Sequence, residues 1–248
     1  MVGMAKLLVQ RSKPSGYVYV ADWSGSSLQH KMDHLACFIA ATLAIGAQDG
    51  RRFDAEYMAL AEGIGETCYQ MYARMKTGLA PEFVQFTSRD LEAGRSAVFN
   101  IGRPETVESL FVLWYYTQDP RWREMGWNIF TAFETYAATG SGAPPPAAAA
   151  ARRPPAAAPP RRAPTAAHPP PAARAGWTAL PDVNNPGRKR DDKMESFVLA
   201  ETLKYIYLLF DPDYPIPLEK YVMNTEAHPL GHIPLPPWAE GGGTAAAS

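Results

Sequence analysis

Two glutamates stand out for what precedes them: Glu105 follows Arg103-Pro104, and Glu82 follows Pro81. A proline at the first helical position removes an N–H that would be unpaired there anyway. Arg103-Pro104-Glu105 therefore reads as a helix start with Glu105 in the first turn. The dipole and the free N–H groups favour an anion at that place, and Arg103 lowers the pKa further. An ionised carboxylate suits a general base rather than an acid. The plainer reading is that Glu105 only complements the helix dipole. Glu82, in a turn-rich stretch, reads by itself as a surface acid. Glu108 falls one turn after Glu105 on the same face, as a dipole partner or a supporting acid. Phe197 and Glu201 are four residues apart and share a helix face, although Glu201 alone reads as an exposed partner of Lys204. His34, on an apolar helix face, is ordinarily a satisfied core histidine. Asn224-Thr225-Glu226-Ala227-His228 is by itself a polar turn, and His228 and His232 lack the second ligand pair that zinc requires. Cys37 and Cys68 read by default as two buried thiols. A bridge between them would contribute about 3.5–4 kcal/mol for a loop of this length.

The elements that must position these residues are helical by period. His34, Cys37, Phe38, Ala41, Leu43 and Ile45 trace one apolar face. Tyr57, Leu60, Ala61, Ile64, Cys68 and Met71 trace another, with Gly78 as a stop. A third helix runs from Arg103-Pro104-Glu105 through Trp114 to a break at Asp119-Pro120, and a fourth from Arg121 to Tyr136. A fifth is expected to start at Asp191-Asp192, whose carboxylates suit a cap, and to end at Phe210. Strand-like alternation is confined to Tyr17-Val18-Tyr19-Val20. The expected class is all-α.

The chain has 248 residues, 46% of them hydrophobic, enough for a sizeable core. Its net charge of −1 gives no general attraction to nucleic acid or an anionic membrane. No apolar run is long enough to span a bilayer, and the N-terminus lacks the apolar stretch of a signal peptide. Residues 143–175 are different in kind, with 15 Ala, 11 Pro and five Arg and no large apolar side chain. Such a segment cannot bury a core and reads as a disordered or polyproline-II insert. Residues 236–248 read as a disordered tail.

Six segments, taken together and in order, carry a resemblance. They are Met32-Asp33-His34-Leu35-Ala36-Cys37-Phe38, Thr67-Cys68-Tyr69-Gln70-Met71, Gly78-Leu79-Ala80-Pro81-Glu82, Arg103-Pro104-Glu105-Thr106-Val107-Glu108-Ser109, Met194 to Tyr205, and Asn224-Thr225-Glu226-Ala227-His228-Pro229-Leu230. The chain resembles the C-terminal part of class I α-1,2-mannosidases, glycoside hydrolase family 47, with Asp33 leaning towards the endoplasmic-reticulum subgroup. The resemblance implies an incomplete (αα)7 barrel of helix hairpins, formed by residues 1–142 and 176–235 around the insert. It implies calcium-dependent, inverting removal of terminal α-1,2-linked mannose from high-mannose N-glycans in the endoplasmic reticulum or Golgi lumen. Inversion needs an acid and a base with room for water between them. Glu105 matches the base and Glu82 a second catalytic carboxylate. His34, Arg103, Phe197, Glu201 and Glu226 match sugar-contacting positions, Thr225 the calcium ligand, and Cys37–Cys68 the family's disulfide. Gly102 and Met223 replace bulkier family residues, which is expected to loosen packing near the cavity. The family's proton donor lies in a part of the domain with no counterpart here, so no useful turnover is expected of residues 1–248 alone. The alternative within the family is a mannose-glycan-binding protein without turnover. An unrelated helical-toroid prenyl or terpene enzyme would want Asp-rich metal motifs, which are absent.

Overall fold

The structure, a computed structural model, describes residues 2–48, 50, 54–94, 96–140, 174–213 and 215–232. Its first thirty residues form short local units. These are helix α1 (Val2–Leu7), strands β1 (Val9–Arg11) and β2 (Val18–Val20), paired antiparallel, and the smaller pair β3 (Asp22–Trp23) and β4 (Leu28–Gln29). Strand β5 (Lys31–Asp33) opens a three-stranded antiparallel sheet with β6 (Phe83–Thr87) and β7 (Asp90–Ala93), in the register Lys31↔Gln85, Met32↔Val84, Asp33↔Phe83. Such strands are two to five residues long. That is too short to show a period of two, so the expected all-α class understates the β content: strands occur well beyond Tyr17–Val20.

The core itself is helical, as the periodicity requires. A 3₁₀ turn (His34–Cys37) leads into α2 (Phe38–Gly46), followed by α3 (Asp54–Ala73), α4 (Glu105–Thr117) and α5 (Pro120–Tyr136). Helix α4 packs against α2, α3, α5 and, later in the chain, α6 (Leu203–Phe210). Its Val107, Leu110, Phe111 and Leu113 are fully buried. At Gly126 the backbones of α5 and α6 come so close that a Cβ would sit 2.2 Å from Leu209 Cδ2. Cys37 and Cys68 form a disulfide with a Cα–Cα distance of 5.9 Å, tying the 3₁₀ turn to α3. Ser109 of α4 secures the same turn, donating to Cys37 O (2.7 Å) and accepting from Ala41 N (3.0 Å).

Helix boundaries follow local chemistry with two departures. Asp119 caps α5 by accepting from Arg121 N at 3.0 Å. Pro104 is the cap residue of α4 rather than its first helical residue. Asp191-Asp192 cap nothing: the segment runs extended beside residues 178 and 179, with Asp191 O accepting from Thr178 Oγ1 and Lys193 O from Ala179 N. The fifth helix instead begins near Ser196 and passes through a π-helical turn (Val198–Thr202) before α6. Residues 143–173 of the expected insert lie outside the described residues. Its last two belong to strand β9 (Arg174–Trp177), which pairs with β8 (Ala138–Gly140). This pairing sets Gly140 and Arg174 side by side. The tail 236–248 also lies outside the described residues. Strands β10 (Tyr221–Met223) and β11 (Pro229–Gly231) form the closing hairpin. Among the described residues no helix is long and apolar enough to cross a membrane.

Candidate active site

The N-terminus of α4 gathers the carboxylates singled out above. Glu105 occupies the first turn, with its side chain only 13% exposed, and Oε2 lies 3.0 Å from His34 Nδ1. A carboxylate only accepts, so Nδ1 carries the proton it shares with Glu105. Nε2 lies 2.7 Å from Tyr72 OH and 3.1 Å from Thr106 Oγ1. His34 is thus a buried connector between α3 and α4, not an inert core residue. Burial works against ionisation of Glu105, yet His34, its own backbone N–H and the Arg103 charge hold its pKa below the ordinary carboxylate value. It is an anion, as a base must be.

Glu108, one turn on, has the opposite character. Burial pushes its carboxyl up to about 7, with Glu105 and Glu201 adding repulsion against a donation from Tyr205 OH at 3.2 Å. Glu201 is also raised, first by burial and then by Glu105 and Glu226, against Lys204 and His228. The π turn that carries Glu201 is anchored by Thr202 Oγ1 donating to Gly102 O at 2.6 Å. π turns recur at functional sites because they shift the phase of a helix face.

Arg103 and Glu82 form a pair, Nε to Oε2 at 2.7 Å, both mostly buried. Glu82 also accepts from His34 N through its backbone oxygen at 2.8 Å. The Arg103 guanidinium carbon lies 5.8 Å from the Phe197 ring centroid. Gly102, expected to loosen the packing here, does the reverse. It holds φ +77°, and a Cβ would come within 2.9 Å of Val198 Cγ2 and 3.3 Å of Phe133. The absent side chain is what lets the π turn and α5 close on the Arg103 segment.

Thr225 is exposed in the turn between β10 and β11. Asn224 Oδ1 shapes that turn by accepting from Glu226 N (3.0 Å) and His228 N (2.9 Å). Lys204 Nζ donates to Ala227 O at 2.8 Å and pins the turn to α6. Among the described residues no three His, Cys, Asp or Glu side chains converge closely enough to hold a metal by themselves. The donor chemistry still suits a hard cation. Thr225 offers neutral oxygens, and Glu105, Glu201 and Glu226 share a field in which Glu201 already feels the other two. The structure thus brings together Glu105, His34, Arg103, Glu82 and Phe197 directly, and links Glu201 and Glu226 through their charges. Tyr72, Thr106 and Tyr205 escaped the sequence reading. Thr106 and Tyr205 fall within the segments that carry the resemblance, and Tyr72 lies one turn beyond Cys68 on the face that meets His34.

The sequence pattern described as "Glycosyl hydrolase family 47" matches residues 1–232. The mannosyl-oligosaccharide 1,2-alpha-mannosidase MNS3 of Arabidopsis thaliana is 40% identical over 93% of this chain and 37% of its own length. The human endoplasmic reticulum mannosyl-oligosaccharide 1,2-alpha-mannosidase is 37% identical over 92% of the chain and 29% of its own. The chain therefore spans about a third of the length of these curated relatives. Among solved structures, an alpha-1,2-mannosidase from Trichoderma reesei superposes with a TM-score of 0.72 at 21% identity, over 93% of this chain and 45% of that one.

Proposed function

The chain belongs to glycosyl hydrolase family 47, and from that premise we propose that the α4 site is the base and calcium side of an inverting α-1,2-mannosidase acting on high-mannose N-glycans. The observation that carries the proposal is Glu105, held as an anion by His34 and Arg103 at the mouth of a helix. A water beside Glu105 gives up its proton to that carboxylate as it attacks the anomeric carbon. Hydrogen bonds with Tyr72 and Thr106 hold His34, and His34 in turn holds the carboxylate at one angle. Arg103, fixed by Glu82, backs the Phe197 ring, whose free face offers a C–H surface for a sugar. Calcium, when held at Thr225 with Glu105, Glu201 and Glu226 around it through water, supplies a hard positive centre for sugar hydroxyls. Glu105 is held as an anion, and Glu82 Oε2 accepts from Arg103 Nε at 2.7 Å. The proposal follows the resemblance in leaving protonation of the leaving oxygen to a residue outside positions 1–248, in keeping with relatives of about three times that length. Within those positions Glu108, raised to about 7, is the carboxyl that holds a proton most readily. Relatives named as endoplasmic reticulum mannosidases support work in the lumen of the endoplasmic reticulum, and the Cys37–Cys68 bridge suits an oxidising compartment.

The test is calorimetry and product assay with α-1,2-mannobiose and calcium. The chain should bind the disaccharide only with calcium, and Glu105→Gln should retain the binding. Turnover should fall short by at least the roughly 10²–10⁴-fold that general-acid assistance contributes. Fast turnover by the chain alone would move the acid into it, with Glu82 first to re-examine. Calcium-independent binding, or none, would overturn the assignment.

A further inference from the structure

Outside the α4 site, a polar hollow lies on the sheet that leads into it. A cavity of about 540 Å³ is lined by Asp22, Trp23, Gln29, Lys31, Gln85 and Thr87, among others, and shares no residue with the site above. Trp23 is 56% exposed at its rim. An indole at the edge of a polar hollow offers an apolar ring face beside hydrogen-bonding groups. The surroundings are built rather than loose. The β3–β4 turn is closed by Ser24 N donating to Ser27 O (3.0 Å), and Gln29 Nε2 donates to Ser27 Oγ (3.0 Å). Phe86 is stacked on Tyr19 at 3.5 Å, and Tyr19 OH pairs with His30 Nδ1 at 2.6 Å.

The charges are balanced within the hollow. Lys31 Nζ lies 3.2 Å from Asp22 and 2.9 Å from Asp33, so neither a phosphate nor a cation finds an unopposed partner. A neutral ligand rich in hydroxyls fits instead: its apolar ring face meets Trp23, and its hydroxyls meet Asp22, Lys31, Gln29 and Gln85. Position along the chain adds a second argument. Lys31 precedes His34 by three residues of nearly extended chain, about 10 Å at strand rise. One branched oligosaccharide can reach both places.

We propose that this hollow is a second sugar-binding site, in which Trp23 stacks on a hexose of the same glycan at a distance from the bond that is cut. The sugar identity rests on the glycosidase reading above, while the hollow and its ring do not. The experiment compares wild type, Trp23→Ala and Trp23→Phe by calorimetry, with calcium, against α-1,2-mannobiose and a branched high-mannose oligosaccharide. Trp23→Ala should weaken the oligosaccharide about tenfold, equivalent to about 1.4 kcal/mol. Trp23→Phe should recover part of that, and mannobiose affinity should not change. The Trp23 indole resonance should move with oligosaccharide only. Equal oligosaccharide affinity in all three proteins would overturn the second site, as would an equal loss for mannobiose. Trp23-dependent oligosaccharide binding without mannobiose binding would instead sink the α4 assignment and leave this one standing.

Discussion

Two buried clusters of carboxylate chemistry lie at the C-terminal end of α3, one reached through Tyr72 and the other through Arg74, and burial acts on both in the same direction. At Asp90 it is outweighed. The carboxylate accepts from Ser12 Oγ (2.6 Å), Ser15 N (2.9 Å), Ser15 Oγ (2.7 Å) and Arg74 Nη2 (3.1 Å). Burial is the largest single influence and opposes ionisation, yet these four donors together hold the Asp90 carboxyl at about 2. At the α4 N-terminus three glutamates share far fewer donors, so one is held low and two are pushed up. The first cluster is closed and structural: it staples the β1–β2 hairpin to α3 and β7. The second is under-satisfied, which is the electrostatic condition for taking up a cation or a hydroxyl-rich ligand.

Removing each feature in turn tests that contrast. The largest effect is expected at the closed cluster. Asp90→Ala strands several buried donors and should destabilise the fold by about 3 kcal/mol in denaturant titration. Because the folded pKa lies below the unfolded one, the Asp90 contribution is present above about pH 4. It drains away as pH falls towards about 2, and Asp90→Asn should flatten that slope. A loss below 1 kcal/mol would mean that the cluster is as loose as the site.

Calcium comes next. At a hundredfold excess over its dissociation constant it should stabilise the wild type by about 2.7 kcal/mol, read as a rise in Tm. Thr225→Val should abolish the rise, and Asp90→Asn should keep it. An undiminished rise in Thr225→Val would remove Thr225 from the site.

Glu108→Gln should work in the opposite sense to Asp90→Ala. A folded pKa near 7 against an ordinary 4.5 means that wild-type stability is fullest below pH 4.5 and declines as pH rises towards 7. Without metal the glutamine variant should gain about 3 kcal/mol at pH 8 and nothing at pH 4. Equal stability at pH 8 would show that Glu108 has donors enough to be a second Asp90.

The smallest effect should come from Tyr205→Phe, which removes the hydroxyl that donates to Glu108. About 1 kcal/mol should be lost, and the Glu108 carboxyl should titrate still higher by NMR. An unchanged titration would place its stabilisation elsewhere.

The local rules were legible residue by residue. Spacing announced α2 to α5, the Arg103-Pro104-Glu105 start placed an anion in the first turn of α4, and Asp119 capped α5 as its type suggests. Asp191-Asp192 looked equally good as a cap and failed. Its backbone is engaged beside Thr178 and Ala179, and a partner more than ten residues away leaves no mark on local spacing. The short hairpins were missed for a related reason, since two or three residues carry no period. The sequence by itself determined which segments bury a helical face and which glutamate starts a helix. Only the tertiary structure decided that His34 bridges Glu105 to Tyr72, that Gly102 is required by close packing, and that Asp90 and Glu108 are driven to opposite protonation states. A pKa depends on the number and distance of donors and charges in space, and those are set by contacts between elements far apart along the chain.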